Sequence, residues 1–273
     1  MLNGITSVQR ALLVFAAALT LPTVILFAVS LTTALTRQSE RVEARAAESV
    51  QRTLAEIDTR LSSDRNALRV LVTANSLREG DMSSFRGRAL QALDLLPGWK
   101  GVLVIAADGD VLMDTTGALS ARQPRPRATA AVWREGAPCP CVAIAEPIPG
   151  RRGQFLVALT DPAQFQTVLM KGMEPGQVGA IVDRQGRFAA RSMDYANRVG
   201  TPATVFVRRA VDRGGAGTYE GTTYEGLVNY TSYRVSPDTG WSVHLAIKRN
   251  VLDSPRLWRF VAIVGGAFLS MPY

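Results

Sequence analysis

His244 is the only histidine in 273 residues, and that count narrows the available chemistry at once. A metal site with two histidine ligands is excluded, and a Ser-His-Asp relay would have to be built around this single ring. In the run Trp241-Ser-Val-His-Leu-Ala-Ile247 it falls on the face opposite Trp241 and Val243. That is the polar face of an alternating strand, where solvent exposure is expected. No nucleophile elbow of the Gly-x-Ser-x-Gly form occurs, and no Walker loop. The stretch Gly214-Gly215-Ala216-Gly217 has no Lys-Ser/Thr pair opening a helix behind it, so it reads as a hairpin loop. Neither a phosphoacceptor histidine nor a nucleotide pocket is present. No catalytic residue, cofactor or metal ligand is expected.

The other reactive pair is Cys139 and Cys141, flanking Pro140. A bridge between residues two apart is strained and easily reduced. Three readings stand side by side: loop thiols without special chemistry, a redox-labile pair, or a metal contact that would need further ligands.

The net charge of +8 would suit nucleic acid, anionic lipid or acidic ligands if it were concentrated. It is not. Arg37, Arg41, Arg45, Arg52, Arg60 and Arg65 alternate with Glu40, Glu43, Glu48, Glu56 and Asp58, the pattern of a solvated helix face. Nucleic acid is excluded as a partner.

From Ala11 through Thr36 no charged residue occurs, a run longer than the roughly 20 apolar residues that span a bilayer. The expectation is a retained transmembrane helix, with cleavage near Ala34 as the competing reading. The basic residues Arg37, Arg41 and Arg45 follow the run, and the positive-inside rule read alone would put the large domain in the cytoplasm. A second apolar stretch, Phe260 to Leu269, is too short to cross. It reads as the start of a second span, an interfacial helix or a core helix.

Between these stretches the period changes. Val42, Ala46, Val50, Leu54, Ile57, Leu61, Leu68 and Leu71 recur mostly at three and four, which predicts one long helix over 37–78 with a buried or dimerising stripe. Gly101–Ile105, the turn Ala107-Asp-Gly-Asp110 and Val111–Met113 then read as a hairpin. The device recurs about 77 residues on, at Val178–Val182, Asp183-Arg-Gln-Gly186 and Arg187–Ala190. Strands are expected at 128–132, 141–146 and 154–159, a helix at 161–170, and strands at 217–220, 227–233 and 241–247.

This order resembles the double Cache sensor domain, whose modules are PAS-like. Leu96-Pro-Gly-Trp99 entering Gly101–Ile105 is similar to the opening of the membrane-distal module. Val182–Arg187, Arg191-Ser192 and Val199-Gly200 are similar to the opening of the proximal one, and Thr239-Gly-Trp241 to its last strand. The wording around Asp183–Ser192 is most like the input regions of bacterial sensor histidine kinases, including the HWE type. The resemblance implies an α+β fold: residues 1–36 as tail and transmembrane helix, 37–78 as long helix, 79–171 as the distal module. Residues 172–253 form the proximal module and 254–273 a truncated second membrane helix.

It also implies a homodimeric extracytoplasmic sensor anchored in the lipid bilayer of the inner (cell) membrane, binding a small-molecule ligand and feeding a two-component kinase. Chemoreceptor or diguanylate cyclase inputs, and a ligand-free structural module, are the alternatives. Family geometry places Trp99 and Phe155 as aromatic walls of a distal pocket, with Asp114, Arg127 and Glu146 as its nearest polar groups. Arg191, Tyr230 and Tyr233 would face a second cavity in the proximal module. The Arg…Trp-Tyr arrangement of amino-acid-binding members is missing, so an amino-acid ligand is not implied.

Overall fold

The computed structural model describes residues 7–118, 123, 130–134 and 140–248. The chain divides into two units, Met1–Arg45 and Ala46–Tyr273. Helix α1 is assigned to Ser7–Val72. In the first unit its described side chains Leu12, Phe15, Leu26, Phe27 and Val29 are exposed. Among the described residues no helix is long and apolar enough to cross a membrane, and many side chains of the run Ala11–Thr36 lie outside them. The second apolar stretch, expected within 254–273, lies wholly outside the described residues.

The second unit is built from two antiparallel sheets. Strands β1 (Trp99–Ile105), β2 (Val111–Asp114), β3 (Ala130–Trp133), β4 (Cys141–Pro147) and β5 (Phe155–Thr160) form the first, in the order β2-β1-β5-β4-β3. Strands β6 (Gln177–Val182), β7 (Phe188–Arg191), β8 (Ala216–Thr222), β9 (Val228–Val235) and β10 (Ser242–Lys248) form the second, in the order β7-β6-β10-β9-β8. Shift the numbers by five and the two orders coincide. The module is duplicated, as the repeated hairpin implied. Each opening hairpin turns on a glycine at positive φ, Gly109 at 96° and Gly186 at 75°, a conformation that costs a side-chain-bearing residue.

Helices α2 (Asn75–Glu79) and α3 (Met82–Leu95) follow α1, while α4 (Ala163–Lys171) joins the sheets. Helices α5 (Tyr195–Arg198) and α6 (Val205–Arg213) lie between β7 and β8. The stripe expected on the long helix is real: Val50, Leu54, Ile57, Leu61 and Leu68 are all buried. They join Val102, Val104, Ile144 and Leu156 of the first sheet and Ile181, Val243 and Leu245 of the second in one continuous cluster. The sheets are separate; the core is shared. Each fully buried side chain of this kind contributes about 1.5–3 kcal/mol of transfer free energy.

Polar ties run beside the apolar ones. Thr239 donates its hydroxyl to Asp58 at 2.9 Å, Trp99 donates its indole N–H to Asp64 at 2.9 Å, and Ser49 donates to the Gly172 carbonyl.

Four local expectations need correction. The long helix stops at Val72, where Thr73 bonds back to the Val70 carbonyl with both N–H and hydroxyl, and Ala74 turns extended before α2 begins. Gly214-Gly215 is not a hairpin loop. It connects α6 to β8, with Gly214 capping the helix C-terminus. Strand β10 is buried on both faces, because α6 lies over the side expected to be wet, its Val207 clustering with Val182 and Phe188 of the sheet and with Ala203. Cys141 is not a loop thiol: it is disulfide-bonded and opens β4, fully buried. Cys139 lies outside the described residues.

Candidate functional site

Directly paired residues of an antiparallel sheet project to the same face. The registers Ala180↔Arg191, His244↔Ala180 and His244↔Tyr233 therefore put Arg191, His244 and Tyr233 together on the face of the second sheet turned from α1. Ala246↔Thr231 and Tyr219↔Thr231 add Thr231 and Tyr219 to that face. Over them lies α6. Thr204 caps its N-terminus, its side chain accepting from the Val207 N–H, and Val207 and Ala210 point inward. Sheet and helix do not close completely: a cavity of about 40 Å³ remains, lined by Val178, Phe188, Arg191, Tyr219, Thr231 and His244 among others. That is room for about three waters.

Its polar groups are mostly spoken for. Thr231 donates to the Asn229 side-chain oxygen at 2.6 Å, and Asn229 donates to the Leu227 carbonyl at 3.0 Å. The His244 ring stacks on Tyr233 at 5.8 Å, with one nitrogen 3.2 Å from the Tyr219 hydroxyl and the other 3.0 Å from that of Ser242. Burial lowers its pKa to about 3, so the ring is neutral at physiological pH. The solvent-exposed histidine expected from the alternating strand is thus a buried, hydrogen-bonded one. Its polarity marks a cavity wall, not a wet face.

Arg191 supplies the cavity's charge. Its side chain is 4% exposed and pairs with Glu225, which accepts from both terminal nitrogens at 2.8 and 2.7 Å. Such a two-pronged pair is stronger and more directional than a single contact. The guanidinium also donates to the Met193 carbonyl at 2.9 Å and lies near the rings of Phe188 and Tyr224. Glu225 comes from the β8–β9 connection, closed by the Thr223 N–H donating to the Leu227 carbonyl at 3.0 Å.

The hydrogen bonds from Arg191 lower the Glu225 pKa from 4.5 to about 2. A depressed carboxylate stabilises the fold above its unfolded pKa and loses that contribution as pH falls through the folded one. Stability is therefore expected to drop between about pH 4.5 and 2 more steeply in the native protein than in Glu225→Gln. Acid unfolding followed at several pH values checks this; parallel curves would count against it.

The residues expected in the first module are placed as follows. Trp99 and Glu146 lie on the face turned to α1, Trp99 buried against Asp64 and Glu146 paired with Arg65 and, at 3.3 Å, with Arg69. Asp114 and Phe155 lie on the other face, paired with Leu103 and Ile105. Asp114 accepts from the Thr116 N–H and hydroxyl, each at 2.7 Å, and Phe155 packs on the apolar cluster of Leu103, Val157 and Leu159. Arg127 lies outside the described residues, as do 124–126, 128 and 129 beside it. The four described candidates are split between the two faces of one sheet. In the second module Arg191 and Tyr233 reach the cavity face, whereas Tyr230, paired with Ile247, points the other way.

Neither a family model nor a curated protein matches the sequence. The fold does match solved structures. The periplasmic sensory domain of the Campylobacter jejuni chemoreceptor Tlp1 aligns with a TM-score of 0.56 at 11% identity, over 79% of this chain and 98% of that one. The sensor domain of the V. cholerae histidine kinase DctB gives 0.56 at 8%, over 77% and 98%. The ligand-binding domain of the Pseudomonas aeruginosa chemoreceptor PctB, in complex with L-Arg, gives 0.55 at 14%, over 79% and 98%. The chain has the double Cache, PAS-like fold of extracytoplasmic sensor domains.

Proposed function

We propose that this chain is the extracytoplasmic small-ligand input region of a membrane-anchored sensor histidine kinase. The observation that supports it is the doubled sheet: its fold recurs in sensor domains over almost their entire length. The uncharged run Ala11–Thr36 supplies the anchor in this reading, and the receptor pairs as a homodimer through surface other than the α1 stripe, which is buried against the sheets. Localisation is then the inner membrane with the domain outside the cytoplasm. The chain does no catalysis of its own.

Ligand binding can bias the receptor only by its differential affinity for two arrangements. The elements able to differ are the sheets and α1, which touch through Asp58–Thr239 and Glu146–Arg65. Chemoreceptors share the fold, so a chemotaxis output is the second reading.

The full chain, held in detergent and screened against a panel of small metabolites, is expected to show a saturable rise in melting temperature with at least one. A ligand at one hundred times its Kd stabilises by about 2.7 kcal/mol. No saturable shift anywhere in the panel would favour the ligand-free structural module instead.

A further inference from the structure

Glu225 occupies the Arg191 fork in a way that itself looks like ligand binding. The carboxylate arrives from outside the sheet, on a connection whose tip residues Tyr224, Glu225 and Gly226 are exposed. It fills both prongs of a buried guanidinium at 2.7–2.8 Å. Arg191 also lines the cavity, whose remaining wall includes apolar Val178, Phe188 and Val207 and polar groups bonded within the protein. The wall therefore offers one kind of recognition that a rival could take over, the guanidinium now held by the Glu225 carboxylate, next to a small apolar space.

The geometry points to an occupant: a small monocarboxylate whose carboxylate replaces that of Glu225 on Arg191, with its short alkyl group in the cavity. This inference rests on the sensor reading and gives it a ligand class and a second-module site. Size follows from volume. Room for about three waters, plus the space Glu225 vacates, takes a chain of about two to four carbons. No charge is created or lost, because one carboxylate is exchanged for another.

The connection need not unfold for the exchange. Tyr224 stays fixed, its hydroxyl donating to the Pro202 carbonyl at 2.9 Å and its ring 4.1 Å from the Arg198 guanidinium. Only the neighbouring Glu225 side chain has to swing out to solvent. Glu225 then acts as a tethered competitor, and it weakens the apparent affinity by the fraction of time the fork is open.

The test uses the full chain and sodium propionate, with propanamide and sodium chloride at matched ionic strength as controls. Propionate is expected to raise the melting temperature saturably, in the millimolar range, and propanamide not to. Glu225→Gln removes the competing charge and is expected to tighten propionate binding at least tenfold, read by calorimetry. Arg191→Lys keeps the charge but loses the fork, and is expected to weaken binding at least tenfold. Should the Gln variant fail to fold, Glu225→Asp, one methylene short of holding both bonds, is expected to give the same gain.

A smaller gain in the Glu225 variants overturns the assignment, as does equal binding of propanamide or indifference to Arg191→Lys. If propionate gives no shift while another compound of the panel does, this site assignment falls and the sensor reading stands. If nothing in the panel binds, both fall.

Discussion

Asp183→Ala is expected to cost the protein about 2–4 kcal/mol, from the buried donor it leaves unsatisfied and the two turn hydrogen bonds it removes. The Asp183 carboxylate is fully buried. One oxygen accepts the Gln185 and Arg187 N–H groups, each at 2.9 Å, and so shapes its own hairpin turn. The other accepts the Val132 N–H, also at 2.9 Å, on the edge strand of the other sheet. Burial pushes the carboxyl above its ordinary range even though these donors pull it down. With alanine, the buried Val132 N–H and the two half-buried turn donors of Gln185 and Arg187 lose their acceptor, and two sheets lose a direct bond. Asp183→Asn keeps one oxygen and is expected to cost about half as much. Urea unfolding of the variants checks both. A midpoint shift for the alanine variant worth under about 1 kcal/mol would show that the carboxylate is not what satisfies these donors.

Trp241→Ala is expected to be comparably severe, about 3–5 kcal/mol. The indole is completely buried and tilts against Phe165 of α4 with ring centres 5.2 Å apart. Its N–H donates to the Ala130 carbonyl at 3.3 Å, again reaching from the second sheet to the edge of the first. Alanine leaves a void where helix, linker and both sheets meet. Trp241→Phe is expected to recover most of the loss, missing mainly the hydrogen bond. If the phenylalanine and alanine variants melt together, packing is not the dominant contribution and the argument fails.

Trp241 and Asp183 also show where sequence was readable and where it was not. The strands were legible because alternation and short turns are local: 141–146 and 241–247 were expected, and Cys141–Pro147 and Ser242–Lys248 are observed. The duplicated hairpin and the buried stripe of α1 were legible for the same reason. Helix α6 was missed, although Thr204 as cap and Val207, Ala210 and Val211 at three and one are a signal that was there. Missing it exposed β10 on paper and put His244 in water.

The candidate site was less legible. Arg191 stood out, but its partner Glu225 is 34 residues away in sequence, and only the pairing of β7 with the sheet brings them together. In the first module, Trp99 and Glu146 looked like pocket residues because aromatic and charged groups near strands often are. Their partners on α1, Asp64 and the pair Arg65 and Arg69, are set by how the helix crosses the sheet, which no local pattern encodes.

The way α1 is held between Ser49 and Arg69 has a further consequence. Over this stretch, about 30 Å of helix at 1.5 Å per residue, the two sheets grasp the same rod at different heights through Asp58, Asp64, Arg65 and Arg69. In the sensor proposed above, natural variation at these grips would retune how strongly the two sheets are coupled while every residue around the Arg191 cavity stays the same. Selectivity and gain would then be written in different parts of the chain, free to drift apart over generations.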